Sequence, residues 1–139
     1  MKMLCKMPII AVLSLALSGC AGVAHTYKGD EKPASEVAIL NSEHTEFSGE
    51  TYFVSFVAYV DKKDEEKTKN SLGDEILGYP KEVHMLPGEY MLMNKCWTIH
   101  GTAFVPMRIR VDAGKKYKFT CAPAMNQLNT VQVKYEVVK

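Results

Sequence analysis

The residues best suited to chemistry in this 139-residue chain are soft donors. Met91 and Met93 stand two apart in a β-prone stretch, and His84 lies a few residues earlier. Side chains two apart on a strand share a face, so the two thioethers point the same way. Thioether and imidazole donors together suit Cu(I), and Met91, Met93 and His84 form a candidate ligand set for it. His25, His44, His100, Met85, Met107 and Met125 complete the inventory outside the leading segment. The alternative is that methionine fills the core as an ordinary flexible apolar residue. On that reading Met91 and Met93 belong to the sheet packing, or form an apolar patch if nothing covers them. Nucleophilic catalysis has no comparable signal. There is no Gly-x-Ser-x-Gly elbow and no glycine-rich phosphate loop. Glu65-Glu66 and Asp74-Glu75 sit in charged, loop-like stretches where adjacent carboxylates are solvated. The chain is expected not to be an enzyme and to need no dissociable cofactor.

The first residues follow a different logic. Lys2 and Lys6 precede an apolar run from Met7 to Leu17, broken only by Ser14. The run is shorter than the roughly 20 residues of a spanning helix. It has the form of a secretory signal. Leu17-Ser18-Gly19-Cys20 resembles the lipobox of bacterial lipoprotein precursors. The resemblance implies removal of residues 1–19 and covalent lipid on Cys20. Several acyl chains make such anchoring effectively stable. Ala21, not an aspartate, follows Cys20, which under the Gram-negative sorting rule implies an outer-membrane anchor facing the periplasm.

Cys5 leaves with the signal and Cys20 carries lipid, so Cys96 and Cys121 remain. An even pair in an oxidising compartment reads as a disulfide, the alternative being two reduced thiols. The chain has 17 Lys and Arg against 16 Asp and Glu. Without Lys2 and Lys6 the balance is about −1. No basic surplus exists to neutralise phosphates, so nucleic acid is not an expected partner.

Residues 20–32 lack periodicity and read as a lipidated tether, leaving 33–139 as one domain. Within it, β-formers cluster at Val37–Leu40, Thr51–Val60, Glu82–Leu86, Glu89–Cys96, Thr98–Val111, Lys116–Cys121 and Thr130–Val138. Asn41–Glu50 and Asp61–Pro80 read as connections. Pro87-Gly88 fits the centre of a type II turn, and Asp112-Ala113-Gly114-Lys115 a tight turn. Thr51–Val60 is apolar on both faces, which predicts a central strand. The expected fold is all-β, a small antiparallel sandwich of six to seven strands. Tyr90, Leu92, Asn94 and Cys96 share one face. Tyr117, Phe119 and Cys121 share another. Both cysteines therefore project toward the bulky apolar side, with Trp97 on the reverse.

Tyr27-Lys28-Gly29 with Pro33 and Val37-Ala38, Leu86-Pro87-Gly88-Glu89-Tyr90, and Ala113-Gly114-Lys115-Lys116-Tyr117 occur in an order similar to that of small proteobacterial envelope lipoproteins. The middle motif resembles the hairpin turn of PEGA-type β-modules. The resemblance implies an envelope location and a β fold, and it carries no catalytic residues. The charged stretch Asp61–Lys69 departs from the short turn usual there. Two functions follow as expectations. One is a lipid-anchored, non-enzymatic binding or structural module with an envelope protein as partner. The other is a periplasmic copper-binding protein using Met91, Met93 and His84.

Overall fold

The computed structural model of the chain describes residues 22–125 and 130–139. The signal segment 1–19 and Cys20 lie outside the described residues. Ten strands follow one another, and no helix occurs among the described residues. They are β1 (Val23–His25), β2 (Ala38–Ser42), β3 (Thr45–Phe47), β4 (Glu50–Asp61), β5 (Asn70–Ser71), β6 (Glu82–Met85), β7 (Gly88–Thr98), β8 (Gly101–Val111), β9 (Lys116–Pro123) and β10 (Val131–Val138). One sheet has the order β1-β6-β2-β9-β10. The other has the order β3-β4-β7-β8, with β5 also paired to β4. The two pack as a sandwich-like all-β fold.

Seven strands fall where the β-formers cluster. The other three, β1, β3 and β5, have two or three residues each, too few for a period-2 pattern to register. β3 corrects the reading of Asn41–Glu50 as loop. It pairs with the start of β4 through Ser48-Gly49, whose φ values of 51° and 79° are those of a type I′ hairpin. β1 corrects the reading of 20–32 as tether. It pairs in parallel with β6, and Ala24 packs against the core. The described domain therefore starts about ten residues earlier than the composition suggests. The sheets are also not wholly antiparallel, since β1–β6 and β2–β9 are parallel pairs.

The Pro87-Gly88 hairpin is a further correction. β6 and β7, which flank it, lie in different sheets, so the dipeptide carries the chain across the sandwich. Gly88 has φ 155°, far from the roughly 80° of a type II turn. Asp112–Lys115 does make its turn, with Gly114 at φ 77°, yet it too joins β8 in one sheet to β9 in the other.

The core is built from the inward face of each sheet. Leu40, Val83, Tyr117 and Phe119 meet Val54, Phe56, Leu92 and Ile109. Phe56 and Phe119 cross edge to face at 5.1 Å between the sheets. Tyr90, Leu92, Asn94 and Cys96 alternate inward on β7, and Tyr117, Phe119 and Cys121 on β9. Cys96 and Cys121 form a disulfide that ties sheet to sheet, with Cα atoms 6.0 Å apart.

Candidate functional site

Two surface constellations stand out, one on each outer face. On β4 and β7 the outward cross-strand pairs are Phe53 with Trp97 and Ser55 with Lys95. The first pair stacks, with centroids 4.2 Å apart and planes at 15°. The Trp97 indole N–H donates to the Ser55 Oγ at 3.3 Å. Lys95 extends from the sheet to the Glu75 carboxylate, donating at 2.9 and 3.0 Å. The Tyr79 hydroxyl donates to Glu75 at 3.2 Å, and the Lys95 ammonium lies 5.7 Å from the Tyr79 ring centroid. Hydrogen bonding from Lys95 holds the Glu75 carboxyl below its ordinary pKa, with Tyr79 adding to the effect. A cleft of about 690 Å³ opens between this loop and the sheet, lined by His44, Phe53, Tyr79, Lys81 and Trp97 among others.

The loop over the cleft is tightly organised. Asp74 exchanges two backbone hydrogen bonds with Gly78. Its Oδ1 accepts the N–H groups of Ile76 and Leu77 at 2.9 and 2.6 Å. A Cβ on Gly73 would run into the Gly78 carbonyl oxygen, so glycine is demanded there by space. Gly78 is demanded by its φ of 88°. The product is an ordered tip that holds Ile76 and Leu77 in solvent, 92% and 82% exposed. Phe104, which pairs with Lys95 from β8, is 57% exposed on the same sheet face. Met91 and Met93 share that face and are half-buried. They face away from the cysteines, as the periodicity requires. Ile76 and Leu77 do not cover them, because both point to solvent.

The second constellation lies on the other outer face, around His84. Val83 and Met85 of β6 point into the core, so His84 points outward. Its parallel partner on β1 is His25. The rings meet edge to face with centroids 4.8 Å apart. The copper ligand set fails on this point. His84 lies on the outer face of one sheet, whereas Met91 and Met93 lie on the outer face of the other. The three cannot share an ion. The residues that do gather around His84 are His25 and Glu31. One ligand atom from each of the three lies within 4.8 Å of the others. Partial burial, followed by the neighbouring His84, lowers the His25 pKa below its ordinary value. Sequence reasoning missed this grouping, since His25 and Glu31 fall in the stretch read as tether. Only the folded pairing of β1 with β6 brings them together.

His44 lines the cleft near Phe53, 5.9 Å between centroids, and His100 lies 3.8 Å from Glu50. Neither joins the His84 group. Asp74 and Glu75 are engaged as loop cap and ion pair. No family model, curated protein or solved structure matches this chain. The fold and these two constellations therefore carry the functional reading.

Proposed function

We propose that this chain is a lipid-anchored envelope protein that binds a protein partner at the outer membrane, facing the periplasm, without catalysing a reaction. One observation carries the binding reading. An ordered loop holds Ile76 and Leu77 in water beside a cleft floored by the Phe53–Trp97 stack. Large apolar residues held exposed in a cluster cost free energy unless something covers them. A tryptophan in a cleft rimmed mostly by exposed polar groups matches the composition of protein interface anchors. Support for the anchor comes from Leu17-Ser18-Gly19-Cys20 and from Ala21 after it. β1 begins only three residues beyond Cys20, so the lipid would hold the domain close to the membrane and limit the partner to envelope proteins.

The test uses the full-length chain in intact cells. A photo-crosslinking residue at Ile76 or Phe104 should yield one discrete crosslinked protein in the envelope fraction. The same residue at Glu65 should not. Ile76→Asp with Leu77→Asp should abolish the adduct from Phe104 while leaving expression unchanged. Cys20→Ala should release the chain from the outer membrane. Equal crosslinking from all three positions, or none from Ile76 and Phe104, would count against the surface. Retention of the Cys20→Ala chain in the outer membrane would count against the anchor.

A further inference from the structure

We propose that His25, Glu31 and His84 form a binding site for a divalent borderline cation, with zinc as its best ligand. This site lies on the opposite face from the partner surface and does not depend on the proposed role there.

Each imidazole nitrogen has a distinct environment. The His84 Nε2 lies 3.0 Å from a Glu82 carboxylate oxygen. Its Nδ1 is buried and has no hydrogen-bond partner. His84 as a whole is only 7% exposed. A buried polar atom without a partner costs about 1–3 kcal/mol, and native proteins keep few of them. A metal ion would satisfy it. The Glu82 contact is then the carboxylate–histidine arrangement that orients metal-bound imidazoles through their far nitrogen. His25 repeats the pattern more loosely, with Nδ1 3.4 Å from the Tyr27 hydroxyl. That contact leaves its Nε2 as the nitrogen to ligate.

The third ligand is delivered by a braced turn. Gly29 at φ 89° reverses the chain after Tyr27. The Lys32 N–H donates to the Tyr27 hydroxyl at 3.1 Å, which closes the turn and returns Glu31 to the histidines. Three further bonds hold its root. The Thr26 N–H and Oγ1 both donate to the His84 carbonyl, at 3.0 and 3.1 Å. The Tyr59 hydroxyl donates to the Thr26 carbonyl at 3.2 Å. Tetrahedral zinc with bonds near 2.0–2.1 Å spaces its ligand atoms roughly 3.4 Å apart. The three ligand atoms, all within 4.8 Å of one another, would draw together by about 1.4 Å or less around a bound ion.

The donor chemistry selects the ion. Two imidazoles and a carboxylate suit zinc. Cu(I) favours soft sulfur donors, and the set holds none. Mg²⁺ and Ca²⁺ favour all-oxygen shells. His25 is exposed, so a fourth position remains open to water or to a ligand from outside. Bound zinc would staple β1 and its following turn onto β6, where three register pairs hold it otherwise.

The test is zinc titration of the full-length chain, purified in detergent without a polyhistidine tag, followed by calorimetry. The expected result is one Zn²⁺ per chain. Binding should weaken at least about tenfold in His25→Ala and in Glu31→Gln, and roughly 10–100-fold in Glu82→Gln through loss of the orienting contact. His44→Ala, His100→Ala and the Met91→Leu, Met93→Leu pair should bind as the parent does. Because His25 is exposed, its variant tests the site even if His84→Ala fails to fold. Thermal melting with and without Zn²⁺ should show stabilisation in the parent and none in His25→Ala. Absence of saturable Zn²⁺ binding by the parent overturns the proposal. So does binding undiminished in both His25→Ala and Glu31→Gln.

Discussion

The Tyr90 hydroxyl donates to the carbonyl of Leu86, four residues back, at 2.8 Å. That bond closes the passage from β6 to β7, between the sheets. The passage from β8 to β9 has a counterpart of opposite polarity, in which the Asp112 N–H donates to the Tyr117 hydroxyl at 2.9 Å. In both cases a tyrosine pointing inward from a new strand fastens the turn that led into it. Tyr90→Phe and Tyr117→Phe should each lower stability by about 0.5–1.5 kcal/mol in denaturant melts. Tyr90 adds a pH signature. Burial, and then the charge of Asp61, pushes its pKa from 10.0 up to about 12. A raised pKa means that its contribution is complete below 10.0 and is lost as pH rises through about 12. Alkaline unfolding should therefore be less steep over that window in Tyr90→Phe. An identical alkaline profile in parent and variant would remove Tyr90 from the account.

Cys96 and Cys121 are separated by 25 residues in sequence and join opposite sheets. A loop of that size is worth roughly 3 kcal/mol through restriction of the unfolded chain. Reduction, or Cys96→Ser with Cys121→Ser, should lower the denaturation midpoint by a corresponding amount. The slope with denaturant should change too, because the unfolded state becomes less compact. Unchanged melting in strong reductant would mean that the bridge contributes nothing.

The legible part of this fold is the part that repeats. Met107, Ile109 and Val111 against Arg108 and Arg110 mark β8 and its buried face. The inward direction of Cys96 and Cys121 follows from two residues per repeat in the same way. Short strands lack that signal. β1 is held by pairing with β6 and by Ala24, and no three-residue pattern could announce it. The Ser48-Gly49 turn was readable in principle, since such a dipeptide favours positive φ. Pro87-Gly88 misled because a turn residue specifies a reversal and not which sheet the chain enters next. The cleft over Trp97 was half legible. Trp97 was assigned to the face away from Cys96, but nothing local says that Glu75 and Tyr79 fold back onto it. The His25–Glu31–His84 group was invisible because its members gather only through a parallel pairing across 59 residues, from His25 to His84.

Asn94 is the buried polar residue within the inward row of β7. Its side-chain nitrogen reaches the Val105 carbonyl at 3.4 Å, whereas its Oδ1 is buried without a partner. Phe56 is its cross-strand neighbour. Replacing a half-satisfied buried amide with an apolar group of similar volume removes the desolvation cost. Asn94→Leu should thus be neutral or stabilising by up to about 1–2 kcal/mol. Asn94→Ala should lose stability through the void it leaves. Equal destabilisation by both variants would show that the amide is satisfied in solution.

The clip between Lys95 and Glu75 should help to keep the apolar tip in place. Lys95 is largely covered, with a side chain 16% exposed, while Glu75 is open to solvent. Hydrogen bonding from Lys95 depresses the Glu75 pKa from 4.5. A depressed carboxylate stabilises the folded arrangement above its unfolded value and ceases to do so as pH falls through the lower, folded value. The contribution should be complete at neutral pH and fade below 4.5. Exposure limits its effect on global stability, so the readout must be local. Amide exchange at Ile76 and Leu77 reports the loop directly, because both N–H groups are held by Asp74. Trp97 emission reports the cleft beneath it. In the parent, acidification below the ordinary carboxylate range should lower amide protection at the tip, measured against the intrinsic exchange rate at each pH, and shift the emission. Glu75→Gln should show the faster exchange already at neutral pH, with a flatter acid response. Asp74 caps the same tip through its Oδ1, so Asp74→Asn provides the control that separates cap from clip. If Glu75→Gln keeps the parent's exchange rate and acid profile while Asp74→Asn loses both, the cap alone holds Ile76 and Leu77 in place, and Lys95 plays no part in presenting them.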